Sequence, residues 1–181
     1  MRRKIYDMLL KWKKSDSGRC AILIDGARRV GKSYIAEEFG KKEYKSYVLI
    51  DFSRVGEDVK DLFRNYIEKK LLPTFFLKLS EHFGVRLYER ETLFVFDEVQ
   101  EFPRAREAIK ALVEDGKYDY LETGSLVSID ENVEDIVIPS EEHSMKLHPL
   151  DLQEMRSRQL SKAFSASKLD FNPSIEILPA W

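Results

Sequence analysis

Residues 20–33 constrain the fold more than any other stretch of the chain, and they read CAILIDGARRVGKS. The apolar run at 20–24 has the length and the branched side chains of a buried strand. It leads directly into the spacing Gly-x-x-x-x-Gly-Lys-Ser at 26–33, which is the pattern of a loop that wraps around polyphosphate. Residues 32–39 then favour a helix, and Gly40 is its expected end. We therefore predict an α/β domain built around a strand, a phosphate-binding loop and a helix.

Each residue type in this loop suits a polyphosphate ligand. Gly26 and Gly31 let the backbone bend towards the anion, because glycine adopts a positive φ at little cost. A helix that begins near Gly31 directs its free N–H groups and the positive end of its dipole at the phosphates. Lys32 is placed to reach the β- and γ-phosphates, and the Ser33 hydroxyl is placed to bind Mg²⁺. The predicted nucleotide-binding residues are Gly26, Ala27, Arg28, Arg29, Val30, Gly31, Lys32, Ser33 and Tyr34.

A second informative stretch is TLFVFDE at 92–98. Its four apolar residues indicate a buried strand, and Asp97 and Glu98 stand at the end of that strand. In a site that hydrolyses a nucleotide, the first carboxylate holds Mg²⁺ and the second accepts a proton from the attacking water. An acidic pair also caps helices, but its place downstream of a phosphate loop favours a metal ligand and a general base.

The stretch YDYLETGS at 118–125 predicts a further strand with a polar end. Thr123 and Ser125 are expected at the same sheet edge as Asp97, where their hydroxyls would position the lytic water or the γ-phosphate. They serve equally well in a turn around Gly124. Both interpretations stay open from the sequence.

Strands are also predicted at 46–52 and at 144–147, and the first of them ends in Asp51. Asp51 has two equally good interpretations, as a ligand-facing residue at a sheet edge or as the cap of the next helix. His143 and His148 have no partner at the spacing of zinc ligands, so a zinc site is not expected.

Helices fill the intervals between the strands. Residues 57–83 are helical in pattern, and Pro73 divides them into two helices. Their apolar cluster is predicted to be core rather than a surface for stacking bases, and it consists of Phe75, Phe76, Leu77 and Leu79. A helix at 104–115 is opened by Pro103 and ended by Gly116.

A helix is also predicted at 2–14, with Ile5, Leu9 and Trp12 on one face. The other residues of this segment are mostly basic, which would suit a nucleic-acid backbone or an acidic membrane. We favour the interpretation in which the stripe packs on the domain and the lysines face solvent.

Composition narrows the function classes. The 181 residues include 30 basic and 32 acidic ones, for a net charge of −2, so bulk charge argues for neither nucleic acid nor a membrane surface as partner. The single cysteine, Cys20, cannot form an internal disulfide and fits a reducing compartment. No apolar run approaches the ~18 residues of a membrane helix. We expect a cytoplasmic protein.

The order of these motifs resembles the AAA+ ATPase domain. The sequences IDGARRVGKS, FDEVQ and ETGS are similar to those of prokaryotic AAA+ ATPases that carry a C-terminal domain of unknown function. The resemblance covers roughly Ile5 to Asp151. It implies a three-layer P-loop NTPase fold, with a parallel sheet of order 5-1-4-3-2 and helices on both faces. It also implies ATP and Mg²⁺ as ligands, with Lys32 and Ser33 on phosphate and Mg²⁺ and Asp97 on Mg²⁺.

The same resemblance implies that Glu98 activates water and that Thr123 or Ser125 senses the γ-phosphate. We therefore take 1–151 as the ATPase core and 152–181 as the start of a helical lid or a poorly ordered tail. Such ATPases carry a lid with a sensor arginine, and many offer an arginine to a neighbouring subunit from the region before the last strand. Residues 124–142 have no arginine to offer, so slow hydrolysis is expected.

Two alternatives remain beside a weak ATPase. The chain could be a nucleotide-dependent switch that governs a protein partner with little hydrolysis, or a shortened, inactive remnant of a larger ATPase. The partner and the oligomeric state do not follow from the sequence, and a nucleic-acid role depends on the basic segment at 2–14 alone.

Overall fold

A parallel β-sheet forms the centre of the fold. The computed structural model describes residues 4–125 and 142–149, and within them the strands are β1 Ala21–Asp25, β2 Ser46–Asp51, β3 Thr92–Asp97, β4 Asp119–Gly124 and β5 Glu142–Lys146. Each neighbouring pair is parallel, and the order across the sheet is β2-β3-β4-β1-β5. This is the predicted order 5-1-4-3-2 viewed from the other edge, so that prediction is confirmed.

Helices cover both faces of the sheet. They are α1 Lys4–Ser15, α2 Lys32–Glu43, α3 Glu57–Asn65, α4 Leu72–Phe83 and α5 Pro103–Asp115, with a short 3₁₀ turn at Val99–Glu101. The predicted division of 57–83 into two helices is confirmed, and Pro73 lies in the first turn of α4. The predicted opening of α5 at Pro103 and its end at Gly116 are confirmed as well.

The alternation of side chains along the strands creates two apolar layers. Leu23, Phe94 and Phe96 contribute to a layer with α3, α4 and α5, whereas Ile22 and Val95 contribute to a layer with α1 and α2. Because successive residues of a strand face opposite sides, this split gives the three-layer α/β arrangement. The predicted P-loop NTPase fold class is confirmed.

The burial of the side chains of α4 differs from one prediction. Phe75, Phe76 and Leu79 are buried, as expected of core residues, but Leu77 is 58% exposed. Helical geometry accounts for the difference, since Leu77 is two residues from both Phe75 and Leu79 and therefore lies on a different face of α4.

The end of α2 corrects a second prediction. Gly40 does not end this helix, which continues to Glu43. A Cβ atom at Gly40 would lie 3.0 Å from the Cβ of Tyr47, so the glycine allows α2 to approach β2 closely. The helix stops where the Tyr44 N–H donates to the Gly40 carbonyl and Tyr44 turns into extended backbone.

The helix at the start of the described chain packs on the domain through the predicted stripe. Ile5, Tyr6, Leu9 and Trp12 of α1 are buried against the layer that contains α2. The Trp12 Nε1–H donates to the Cys20 carbonyl at 3.1 Å, which ties the helix to the residue before β1. The packing of the stripe is confirmed, but Lys13 does not simply face solvent, because its Nζ group donates to the Glu43 carbonyl and lies over the Tyr44 ring.

At the amino end of β4, Asp119 joins three separate parts of the chain. Its Oδ2 accepts hydrogen bonds from the Tyr44 hydroxyl at 2.7 Å and the Ser17 hydroxyl at 2.8 Å. Its Oδ1 lies 3.2 Å from the Arg90 guanidinium. These contacts connect the segments that precede β1, β2 and β3, at the amino ends of the strands and away from the phosphate loop.

Within residues 4–125 and 142–149, none of the helices has the length and hydropathy that a membrane span requires. The domain boundary predicted at 151 and the predicted lid or tail at 152–181 lie outside the described residues. So do Arg2, Arg3 and most of the arginine-free segment at 124–142.

Candidate functional site

The loop between β1 and α2 is bent by three residues with positive φ. These are Gly26 with φ 151°, Arg29 with φ 66° and Gly31 with φ 94°. A Cβ atom at Gly26 would lie 2.3 Å from the Leu147 carbonyl oxygen, so the backbone can pass there only as glycine. Gly31 is the N-cap of α2 and provides no side-chain hydrogen bond, so the first N–H groups of α2 are left for another acceptor.

Lys32 is enclosed by this loop. Its side chain is buried, and the Nζ group donates to the carbonyl oxygens of Gly26 and Ala27, both at 3.0 Å. These bonds use two of the three N–H donors of the ammonium group. They hold the positive charge of Lys32 inside the bend of the loop.

Asp97 meets residues from two other elements. The Thr123 hydroxyl of β4 donates a hydrogen bond to the Asp97 carboxylate, and the Ser33 hydroxyl of α2 lies close enough to that carboxylate to lower its pKa. Burial is the largest effect on this carboxyl and raises its pKa; the two hydroxyls oppose that rise, and the nearby carboxylates of Glu98 and Asp51 add to it. The three negative charges therefore create a site that a cation would stabilise.

Glu98 adopts an unusual backbone conformation for a residue with a side chain. Its φ of 55° and ψ of 49° are left-handed. Its N–H donates to the Thr123 hydroxyl at 3.3 Å, and its carboxylate accepts a hydrogen bond from the Gln100 side-chain amide. The turn after β3 and Gln100 together orient the Glu98 side chain at the sheet edge.

An open cleft of about 610 Å³ lies along this edge. It is lined by Arg28, Arg29, Ser33, Leu49, Asp51, Ser53, Arg54, Asp97, Glu98 and Glu101. The cleft therefore combines residues of the phosphate loop with residues that follow β2 and β3.

Asp51, which had two interpretations from the sequence, is not the cap of α3. Its Oδ1 accepts a hydrogen bond from the Ser53 N–H at 3.0 Å, and its Oδ2 lies 3.4 Å from the Arg54 Nε. The N-cap of α3 is Gly56. Asp51 thus closes the turn after β2 and also lines the cleft.

The structure brings most of the predicted site residues together at the carboxyl ends of the parallel strands. Thr123 lies beneath the cleft and contacts Asp97 and Glu98, so it is more than a residue of a turn. Ser125 is buried just past the end of β4. Tyr34 is 69% exposed and is not among the residues that line the cleft, so its predicted role in binding gains no support from its position.

Sequence reasoning missed a buried group of ionisable residues that links β4, β5 and α5. The Arg106 guanidinium donates to both carboxylate oxygens of Glu142, at 2.8 Å and 2.7 Å. Glu122 is fully buried, and burial together with Glu142 raises its pKa well above the usual value of a glutamate. Nothing in the local pattern of 118–125 distinguishes this glutamate from an exposed one, because the effect depends on β5 and α5.

Sequence reasoning also missed Asp25. This buried residue ends β1, and its Oδ2 accepts a hydrogen bond from the Ser144 hydroxyl at 2.9 Å. The Asp25 carbonyl accepts the Leu147 N–H at 2.7 Å, so β5 supports the start of the phosphate loop from the side. The carboxylate directly before Gly26 is the signal that could have pointed to it.

Comparison with protein-family models identifies the family. A model described as an AAA domain matches residues 18–156. The chain belongs to the AAA domain family. It is thus a nucleotide-binding, ATPase-like domain, and the strands, the loop and the cleft described above all belong to the matched region.

This AAA domain is also similar to solved structures, which it matches at low identity. The structure of PCH-2 from Caenorhabditis elegans is 13% identical, with a TM-score of 0.44, over 96% of this chain and 46% of that one. AMPPCP-bound DnaA from Aquifex aeolicus is 14% identical, with a TM-score of 0.43, over 96% of this chain and 54% of that one. The chain thus spans about half the length of these two proteins.

A third solved structure is domain III of the replication initiation protein DnaA from Thermotoga maritima. It is 15% identical, with a TM-score of 0.47, over 94% of this AAA domain and 71% of that chain. A search of curated proteins found no match.

The side chains in the cleft suit a nucleotide with Mg²⁺. Mg²⁺ prefers oxygen ligands from carboxylates and hydroxyls together with phosphate oxygens, and Ser33 and Asp97 offer such oxygens within one cleft. The buried ammonium of Lys32 and the free N–H groups of α2 suit phosphate. The residues therefore fit both groups.

Proposed function

We propose that this AAA domain binds ATP together with Mg²⁺ and hydrolyses ATP slowly. The observation that supports this most is that Ser33, Asp97 and Glu98 line one cleft together. The cleft joins the end of the phosphate loop to the acidic pair after β3, which lie far apart in the sequence. We take residues 1–151 as the unit that carries this activity.

The phosphate loop and the start of α2 bind the polyphosphate in this proposal. The N–H groups at the start of α2 have no partner from their N-cap residue and donate to phosphate oxygens. Two N–H groups of the Lys32 ammonium hold it against the Gly26 and Ala27 carbonyls, and the third would donate to the same phosphate oxygens. Binding therefore depends strongly on Lys32.

Ser33 and Asp97 would hold the metal ion. When bound, Mg²⁺ supplies positive charge to the phosphate oxygens and neutralises charge that develops during phosphoryl transfer. On the protein side, the ion also relieves the mutual repulsion of the carboxylates of Asp97, Glu98 and Asp51.

Glu98 acts as the general base. Its carboxylate lines the cleft beside Asp97 and accepts a proton from a water molecule. Gln100 holds one carboxylate oxygen, and Thr123 holds the backbone N–H, so the other carboxylate oxygen is the one that receives the proton. Hydrolysis is slow because one oxygen of the base is already hydrogen-bonded and because the segment at 124–142 has no arginine to stabilise the transition state.

Calorimetric titration tests the binding part of the proposal. ATP, ADP and GTP are titrated with and without Mg²⁺ into the native chain, into Lys32→Ala and into Lys41→Ala, a control on the exposed side of the same helix. We expect Lys32→Ala to weaken ATP binding by about tenfold to a hundredfold, as loss of a charged hydrogen bond does. Equal affinities of all three proteins for ATP would contradict the proposal.

Phosphate release tests the catalytic part. We expect Glu98→Gln to lower the hydrolysis rate by about a hundredfold or more while ATP binding persists, as loss of a general base does. Glu107→Gln, an exposed glutamate on α5, is the matched control and retains the native rate. A hydrolysis rate that is unchanged in Glu98→Gln would exclude Glu98 as the base.

A second candidate function is a nucleotide-dependent switch for a protein partner. The hydrogen bond from Gln100 to the Glu98 carboxylate favours it, because a base held in this way accepts a proton less readily. Tight ATP binding without phosphate release from the native chain would favour the switch, and Gln100→Ala would then be expected to raise the hydrolysis rate.

A further inference from the structure

We propose that Arg28 and Arg29 bind the γ-phosphate from within the phosphate loop itself and thereby make the site selective for ATP over ADP. This inference rests on the proposed function and adds to it the residues that distinguish the two nucleotides. Three observations carry it: the position of the two side chains, their lack of ion-pair partners in the described part of the chain, and the charge of the cleft that they face.

Both arginines belong to the phosphate loop and also line the cleft beside it. They line the same cleft as Ser33, Asp97 and Glu98, the proposed ligands of Mg²⁺ and of the attacking water. Both side chains are exposed to solvent in that cleft. Lys32, by contrast, is buried and is held by the carbonyls at the base of the loop.

No carboxylate among the described residues forms an ion pair with either of the two guanidinium groups. Among residues 4–125 and 142–149, neither Arg28 nor Arg29 forms an ion pair, whereas Arg54 in the same cleft lies 3.4 Å from the Asp51 carboxylate. Arg28 and Arg29 therefore keep their full hydrogen-bonding capacity for a ligand. The guanidinium fork matches the oxygens of a phosphate and binds them in a bidentate manner.

The charge of the cleft explains why a γ-phosphate needs these cations. Four carboxylates line it, those of Asp51, Asp97, Glu98 and Glu101. A terminal phosphate that enters this environment is repelled unless positive charge accompanies it, and one Mg²⁺ does not balance both the carboxylates and the phosphates. A β-phosphate held by the buried Lys32 would depend less on the two arginines.

The backbone of Arg29 adds a further indication. Its φ of 66° is left-handed, a conformation that costs a residue with a side chain about 1–2 kcal/mol relative to glycine. Such strain is typical of positions where a side chain is needed for function. It also provides a variant that fits the native backbone, since Arg29→Gly removes the side chain and relieves the strain.

Equilibrium binding of ATP and ADP in the presence of Mg²⁺ tests the inference. The proteins are the native chain, Arg28→Ala, Arg29→Gly, the double variant and Arg86→Ala, an exposed arginine in the connection that leads to the amino end of β3. We expect the double variant to weaken ATP binding by about tenfold to a hundredfold and to change ADP binding by less than about threefold. Arg86→Ala should retain the native ratio of the two affinities.

The outcomes separate this inference from the proposed function. If binding still depends on Lys32 and the ratio of ATP to ADP affinity is the same in the native chain and the double variant, the inference is wrong and the proposed function stands. If the double variant weakens ATP and ADP equally, the arginines supply general attraction and the inference is again wrong. If the native chain binds neither nucleotide, the proposed function fails and the inference fails with it.

Discussion

At the scale of single residues, Glu122 shows how strongly burial determines charge in this domain. It lies in the interior of β4, beside Glu142 and the guanidinium of Arg106. A single guanidinium in bidentate contact with Glu142 cannot also compensate the charge of a second buried carboxylate. The pKa of Glu122 is therefore raised well above the usual value of a glutamate, first by burial and then by Glu142.

This raised pKa predicts a pH dependence of stability. The folded chain keeps a proton on Glu122 that the unfolded chain releases above a pKa of about 4.5, so the free energy of unfolding falls as pH rises above that value. Glu122→Gln has no such carboxyl group, so its free energy of unfolding does not fall in this way. The difference between the unfolding free energy of the variant and that of the native chain should therefore increase with pH, by up to about 1.4 kcal/mol per pH unit.

Urea unfolding at a series of pH values above 4.5 measures this difference. Glu107→Gln on α5 is the control, because that side chain is exposed. Parallel pH profiles for the native chain and Glu122→Gln would show that Glu122 is ionised in the folded state.

A second prediction at this scale concerns Gly26. A methyl group there would lie 2.3 Å from the Leu147 carbonyl oxygen, which belongs to the backbone and cannot rotate away. We expect Gly26→Ala to lower the free energy of unfolding by about 2–4 kcal/mol, from the clash and from the strain at positive φ.

Gly116→Ala is the matched control, since Gly116 also has a positive φ but has nothing within 4 Å of its Cβ position. It should cost about 1 kcal/mol, from backbone strain alone. Chemical denaturation of both variants compares the two costs, and equal losses would mean that contact with Leu147 is not what requires glycine at position 26.

At the scale of elements, periodicity predicted most of the helices and strands because their apolar residues recur at regular intervals. The two errors have a common cause. Residue type alone predicts that Gly40 ends α2 and that Leu77 is buried, but the close approach of β2 explains Gly40 and the face of α4 explains the exposure of Leu77. Residue type indicates whether a segment forms a helix or a strand, whereas tertiary contacts determine where the helix ends and which of its faces is buried.

The packing of α1 gives a prediction for a whole element. Trp12 is 3% exposed and donates to the Cys20 carbonyl, whereas Met8 on the same helix is 46% exposed. We expect Trp12→Ala to cost about 3–5 kcal/mol of unfolding free energy and Met8→Ala to change it by less than about 0.5 kcal/mol. Thermal and urea unfolding measure both. Similar, small effects would indicate that α1 is not part of the cooperative core.

At the scale of the whole molecule, the candidate site lies at the carboxyl ends of the strands, and a separate hydrogen-bonded group lies at their amino ends. The phosphate loop, Asp97 and Thr123 lie at the carboxyl ends of the strands, and Asp119 joins Tyr44, Ser17 and Arg90 at the amino ends. The convergence of the first group could be predicted from sequence, since parallel strands place their carboxyl ends together. The second group could not, because its members come from turns with no regular pattern.

The same distinction applies within the candidate site. The loop at 26–33 is a contiguous motif, so its bend could be predicted from its glycines. The left-handed backbone of Glu98, its bond to Gln100 and the ion pair of Arg106 with Glu142 depend on the assembled fold and leave no local signal. The roles of the individual site residues stay predictions.

Because the two groups lie at opposite ends of the strands, we expect that the free energy of unfolding can be changed without changing the affinity for ATP. Tyr44→Phe removes a buried hydrogen bond to Asp119 and should cost about 1.5–3 kcal/mol. The affinity for ATP should change by less than about twofold, because the variant lies at the far edge of the sheet. Urea unfolding and calorimetric titration test the two parts, and a large loss of ATP affinity in the folded variant would contradict the separation.

The position of β1 has a consequence for the biosynthesis of the protein. This strand is made early, but both of its neighbours in the sheet, β4 and β5, follow it in the chain, and Ile22 pairs with Leu121 on one side and His143 on the other. A nascent polypeptide on the ribosome therefore holds the complete phosphate-loop motif long before that motif has its supporting strands. Ligand recognition should emerge late in translation, after Lys146 has left the exit tunnel, rather than when the motif itself appears.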